Sequence, residues 1–124
     1  GALAAFPGLS IAALNGTVAG GAMGMFLACD LRVSVPGAKI FYPVMKLGFL
    51  PQPSDPGRLA ALVGPARAKQ ILMAGRKVPV EEALGWGLID QIDADPMAAA
   101  RALAADTMEA SAQHAAGIKA LIPS

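Results

Sequence analysis

No charged side chain occurs between Gly1 and Cys29, and this uncharged opening constrains the fold more than any other feature of the chain. Gly16, Gly20 and Gly24 even carry the G-x-x-x-G spacing that packs helices in lipid. A membrane-spanning helix, however, needs about 20 predominantly apolar residues in one helical run. Pro7-Gly8, Asn15-Gly16 and Gly20-Gly21 instead cut the stretch into three short pieces. No Lys or Arg precedes the apolar part, so it also lacks the basic start of a secretory signal. Short, buried elements of a globular domain are the expectation, without a membrane partner. The rest of the chain agrees: 55% of residues are hydrophobic and only 15% charged, against roughly a quarter charged in ordinary soluble domains. Such a composition excludes disorder. A net charge of +1 without clustered Lys and Arg argues against nucleic acid. The single cysteine, Cys29, excludes a disulfide framework, and with one histidine, His114, no His- or Cys-based metal site is expected. A chain of 124 residues suits one domain or part of one, in an intracellular, cytoplasmic setting.

Acidic residues are as uneven as the charges overall. Before Glu81 the chain offers only Asp30 and Asp55. A mechanism that needs two carboxylates from the first eighty residues can use no others.

Ser10–Leu14 reads as a short buried strand ended by Asn15-Gly16. Gly20-Gly21 opens an apolar helix, Ala22–Cys29, in which Gly24 costs about 1 kcal/mol relative to Ala and so implies close approach by a ligand or another backbone. Leu31–Val35 alternates Arg32 and Ser34 with apolar residues, a half-buried strand with those two turned outward. Lys39–Tyr42 follows as another strand. Four prolines between Pro43 and Gly57 predict a rigid loop without regular structure, with Ser54 or Asp55 capping the helix after it. That helix turns Leu59, Leu62 and Val63 inward and stops at Gly64; Pro65 starts another with Ala66, Ile71, Leu72 and Met73 inward. A short helix over Glu81–Leu84, a strand over Leu88–Ile92, a long helix capped by Asp95-Pro96 and a last segment to Leu121 complete the chain. No internal repeat of 20–50 residues is visible, and the alternation leaves α/β and α+β both open.

Ala19, Gly21 and Gly24 form a degenerate dinucleotide fingerprint, but positions 38 to 48 lack the acidic partner for a ribose. The same glycines suit another use. They expose main-chain N–H groups at a helix start, where an oxyanion on a thioester carbonyl could be held. Tight strand–helix packing is the plainer explanation of Gly20 and Gly21 and, on these residues alone, the favoured one.

The order of residues resembles the crotonase superfamily, the enoyl-CoA hydratase/isomerase family. The resemblance rests on Ile11-Ala12-Ala13-Leu14-Asn15-Gly16, Gly20-Gly21, Leu27-Ala28-Cys29-Asp30-Leu31-Arg32, Ala38-Lys39-Ile40-Phe41, Leu47-Gly48, Arg58-Leu59, Val63-Gly64, Ala66-Arg67-Ala68, Ala83 and Gly85-Trp86-Gly87-Leu88-Ile89. It implies an α/β, crotonase-like spiral of ββα units, with residues 1–124 a partial domain whose N-terminal part and C-terminal trimerisation helices lie outside the chain. It further implies an acyl-CoA thioester as partner, coenzyme A entering only as part of the substrate with no separate cofactor, and a homotrimer or dimer of trimers. Gly21 falls where the family places an oxyanion-hole N–H, the other donor lying before Gly1. Gly20, Gly21, Gly24, Pro43, Val44, Leu47 and Gln52 are the substrate-binding positions so implied. The departures are specific: Gly24 and Val44 stand where hydratases carry glutamates, and Gln52 where related isomerases and dehalogenases carry an aspartate. Acid–base chemistry across a double bond needs a proton-moving group, so ordinary hydratase activity is not expected. An oxyanion-hole enzyme of another reaction is the leading reading, with the base expected from the part of the domain before Gly1 or from Tyr42, Lys46 or Asp55. Each has a plainer role: half-buried packing for Tyr42, solvation or a CoA phosphate for Lys46, capping for Asp55. A non-catalytic acyl-CoA binder or scaffold is the alternative. Asp30 reads as structural, paired with Arg32 or a turn. Cys29, Met23, Met25 and Phe26 read as packing, and Trp86 as core or subunit interface.

Overall fold

A computed structural model describes residues 3–123. The chain begins with strands β1 (Ile11–Leu14) and β2 (Val18–Ala19), helix α1 (Ala22–Ala28), and strands β3 (Leu31–Ser34) and β4 (Lys39–Phe41). Helices α2 (Val44–Leu47), α3 (Asp55–Val63) and α4 (Pro65–Leu72) follow. After them come β5 (Val78–Pro79), α5 (Val80–Trp86), β6 (Gln91–Ile92), α6 (Pro96–Glu109) and α7 (Ala112–Leu121). The first strand of each turn stacks on the first strand of the next: β1 pairs in parallel with β3, and β3 with β6. The second strands do the same, β2 lying parallel to β4, which β5 then joins antiparallel. The result is two three-stranded sheets wound by successive β–β–α turns. Ile11 sits beside Leu31 and Val18 beside Ile40, so a repeat that is invisible in the sequence exists in the backbone. Among the described residues no helix is long and apolar enough to cross a membrane. Gly16 lies in a bend ahead of β2, so the three glycines at G-x-x-x-G spacing do not share one helix.

The core lies between the second sheet and the helices. Met23, Phe26 and Leu27 of α1 are buried there at i, i+3 and i+4, with Ile40, Leu59, Ile71, Val78 and Leu88. Seven residues are too few for a stable isolated helix; burying these three side chains, at about 1.5–3 kcal/mol each, is what holds α1. Its opposite side shows Gly21 and Met25 to solvent.

Several expectations need correction. Arg32 and Ser34 point inward, 2% and 0% exposed, because β3 is covered on both faces: Val33, on the other side, is buried too, and the end of α1 lies over Arg32. The Arg32 side chain is satisfied by carbonyls: Nε donates to Leu88 O at 2.9 Å, and Nη1 to Cys29 O at 2.5 Å and Phe26 O at 3.4 Å. It thereby closes the end of α1, as cations do at helix C-termini. Asp30 pairs with Lys119 of α7 at 2.7 Å and accepts the Ser10 N–H at 3.0 Å, while Arg32 reaches only its carbonyl. The span Pro43–Gly57 is not wholly irregular. Val44–Leu47, at the start of its longest proline-free run (Val44–Leu50), makes the single turn of α2, closed by Gly48 at φ 77°. Ala66 and Met73 are exposed, because Ala68 and Ile71 are the residues with which α4 meets the core. Cys29 is half-buried just beyond α1 rather than inside it. The last predicted strand shrinks to Gln91–Ile92, since Leu88 and Ile89 are buried in the turn leaving α5. Met25 is 69% exposed, unlike Met23 and Phe26, which pack as expected. Trp86 is half-buried, with the guanidinium groups of Arg67 and Arg76 over its ring at 5.2 and 5.7 Å. Asp95 does cap α6, accepting the Ala98 N–H at 3.1 Å.

Candidate active site

Gly20 adopts φ 56°, a left-handed conformation open to glycine at little cost, and this turn aims the chain from β2 into α1. Gly21 caps the helix and is exposed. Gly24, three residues on, lies one turn along the same face. That face therefore has no side chain at Gly21 or at Gly24.

A carboxylate stands opposite Gly24. A Cβ built on Gly24 would lie 3.7 Å from Asp55 Oδ1 and 3.9 Å from Oδ2, and these two oxygens are what it would meet beyond its own helix. Asp55 begins α3 and is 1% exposed, yet it does not cap that helix: Ser54 is the N-cap residue, and no side chain makes the capping bond. Tyr42, directly after β4, donates its hydroxyl to Asp55 Oδ2 at 2.8 Å and accepts the Gln52 N–H at 3.2 Å. At 4% exposure Tyr42 is buried rather than half-buried. Burial raises the pKa of its phenol and the Asp55 carboxylate raises it further, against a lowering by the Gln52 N–H. The phenol is thus kept protonated, as a donor. Asp55 Oδ1 is buried without a hydrogen-bond partner among the described residues. What approaches Gly24 is therefore a side chain, where the sequence suggested a ligand or backbone.

The other nominated residues are more dispersed. Gly21 lines a broad apolar groove of about 630 Å³ beside β1, together with Ala22 and Met25. Val44 lines a separate groove of about 370 Å³ formed by Met45, Phe49, Leu50, Pro51 and Met73. Pro43 is half-buried before α2, Leu47 is 59% exposed, and Gln52 is exposed in the following loop with its N–H on Tyr42. Lys46 is exposed, and so is His114. Among the described residues no group of His, Cys, Asp and Glu is arranged to hold a metal. Sequence reasoning placed Tyr42 and Asp55 on separate elements and missed their pairing. Asp55 being one of only two early acids was the one available signal.

A model of the enoyl-CoA hydratase/isomerase family matches residues 2–123. The chain belongs to that family. It is 34% identical over 111 residues to a carnitinyl-CoA dehydratase of Salmonella typhi, covering 88% of this chain and 42% of that one. It is 36% identical over 102 residues to the glyoxysomal fatty acid beta-oxidation multifunctional protein MFP-a of Brassica napus, covering 81% and 14%. The structure of Pseudomonas aeruginosa DspI superposes with a TM-score of 0.89 at 36% identity, covering 95% of this chain and 46% of that one. The chain thus spans less than half the length of each of these relatives. Their likeness bears out the crotonase-type α/β fold expected from the sequence.

Proposed function

We propose that the protein binds acyl-CoA thioesters and acts on them through an oxyanion hole, by a reaction other than ordinary hydration. The observation that carries this reading is the side-chain-free face of α1 at Gly21 and Gly24, opened by the left-handed Gly20, in a chain of this family. Main-chain N–H groups at such a turn stabilise negative charge as it develops on a carbonyl oxygen, without reorganisation during the reaction. In this reading Gly21 donates to the thioester oxygen. Gly20 admits the substrate, Gly24 leaves the space that Asp55 faces, and Pro43, Val44, Leu47 and Gln52 form the substrate's surroundings. The Val44 groove, at about 370 Å³, falls in the size range of small-ligand pockets. Coenzyme A enters as part of the substrate, and a trimeric assembly would cover apolar side chains such as Leu50, which is 89% exposed.

Water addition requires a proton-moving group on each side of the double bond, and Gly24 and Val44 supply none. The test combines calorimetric binding of acyl-CoA thioesters with turnover assays on the full chain. Binding of butyryl-CoA, with crotonyl-CoA hydrated far below ordinary hydratase rates, is the expected result. Crotonyl-CoA hydration at ordinary rates would overturn the non-hydratase reading. Binding without turnover of any thioester would favour a non-catalytic acyl-CoA binder, the reading favoured by the missing carboxylates at Gly24 and Val44.

A further inference from the structure

A buried carboxylate oxygen without a partner is costly, about 1–3 kcal/mol or more for a charged group, and calls for a reason. Asp55 Oδ1 is such an atom: the residue is 1% exposed and the oxygen has no hydrogen-bond partner among the described residues. Its neighbour Oδ2 is held by the Tyr42 hydroxyl at 2.8 Å, so the carboxylate is fixed by one oxygen and free at the other. Oδ1 lies 3.7 Å from the position of a Cβ at Gly24. Standard bond lengths place a glutamate's own carboxylate oxygens roughly 3–3.7 Å from its Cβ. Asp55 Oδ1, from α3, therefore lies at about the radius that a glutamate carboxylate at position 24 would reach from α1. The absence of a side chain at Gly24 leaves room for it.

We propose that Asp55 is the proton-transferring residue of this site, its Oδ1 acting on an acyl-CoA thioester that carries a hydrogen on the α-carbon, with Tyr42 as the residue that positions it. This rests on the thioester-binding reading above. In the step, Oδ1 takes the α-proton. The electron pair of the broken C–H bond forms the C=C bond of the enolate, and the carbonyl π pair moves to the thioester oxygen beside the Gly21 N–H. Once the proton on Oδ1 has been replaced from solvent, its return to the α-carbon completes an exchange; on an enoyl thioester with a β,γ double bond, return to the γ-carbon of the dienolate completes a double-bond shift. No co-reactant is consumed. One carboxylate suffices for such a shift, whereas hydration also needs a positioned water. The assignment thus selects enolisation or isomerisation as the reaction class.

The test measures exchange of the α-hydrogens of butyryl-CoA in D₂O by proton NMR, with butyryl-CoA binding followed by calorimetry on the same full-chain samples. Butyryl-CoA has no double bond to hydrate, so its exchange reports proton transfer alone. The wild type is expected to bind and exchange. Asp55→Asn and Asp55→Ala are expected to bind within a few-fold of wild type and to exchange at least about a hundredfold more slowly, the scale of general acid–base catalysis. Binding by either variant shows that it has folded, and two variants are tested so that one failing to fold does not end the experiment. Exchange at the wild-type rate in a binding variant, or wild-type binding without exchange, overturns the role of Asp55 and leaves thioester binding standing. Failure of the wild type to bind overturns both readings.

Discussion

Removing the Tyr42 hydroxyl tests whether the buried Asp55 is held by one bond. In Tyr42→Phe the ring keeps its place in the core, so the change is confined to the 2.8 Å bond to Asp55 Oδ2 and the 3.2 Å bond from the Gln52 N–H. Gln52 is exposed, and water can replace its partner at little cost. Asp55 is buried, and its other oxygen is already unpartnered, so the carboxylate loses its remaining hydrogen bond among the described residues. A hydrogen bond to a charged group contributes about 1.5–3 kcal/mol, and that is the expected loss of stability. It corresponds to roughly a ten- to hundredfold larger unfolding constant. Urea denaturation followed by circular dichroism measures it. Replacing both partners should restore part of the loss: in a double-mutant cycle with Asp55→Ala, a coupling energy of at least about 1 kcal/mol is expected. A Tyr42→Phe protein within about 0.5 kcal/mol of wild type, or a cycle with no coupling, would refute the claim that the two side chains act as a unit.

Two further outcomes follow from geometry. Gly64 joins α3 to α4 at φ 87°, ψ 160°, and a Cβ placed on it would meet nothing within 4 Å. Gly64→Ala should therefore cost about 1–3 kcal/mol from backbone conformation alone. Gly57→Ala, equally unobstructed but inside α3 without a positive φ, should be neutral or stabilise by up to about 1 kcal/mol; urea midpoints of the two variants compare them, and equal midpoints would contradict the conformational argument. At Asp30, burial raises the pKa, but the hydrogen bonds from Lys119 and Ser10 outweigh it, and the carboxyl is left below its ordinary 3.8. A depressed carboxyl pKa gives stability that is present above 3.8 and is lost as pH falls through the folded value. Lys119→Met should thus lower stability by about 1 kcal/mol at neutral pH, given the partial exposure of the pair. The gap from wild type should narrow under acid, without closing, because Lys119 also donates to the carbonyls of Phe6 and Gly8 at 2.7 Å. A gap that does not change with pH would remove Asp30 from the explanation.

Elements with strong punctuation were legible in the sequence. Gly20-Gly21 announced the start of α1, Asp95-Pro96 the start of α6, and Gly87 the end of α5, because caps and left-handed glycines act within a few residues of where they stand. Strands β2 and β5 were not anticipated: two residues each carry no periodicity, and they exist through pairing with β4. Arg32 was assigned to the wrong face for a related reason. Alternation marks a strand with one wet side, and it cannot tell that β3 lies between two others with the end of α1 over it.

The sequence by itself determined the family resemblance and the lack of carboxylates at Gly24 and Val44, since both depend on residue identity and order; the wound β–β–α architecture was implied only through that resemblance, because its repeat lies in strand pairing. The tertiary structure alone decided what takes the place of the absent side chain. Gly24 and Asp55 are far apart along the chain, and no local rule relates them. They meet because α1 and α3 pack on the same core, through Met23, Phe26 and Leu59, and because Tyr42 at the end of β4 turns the carboxylate toward the gap.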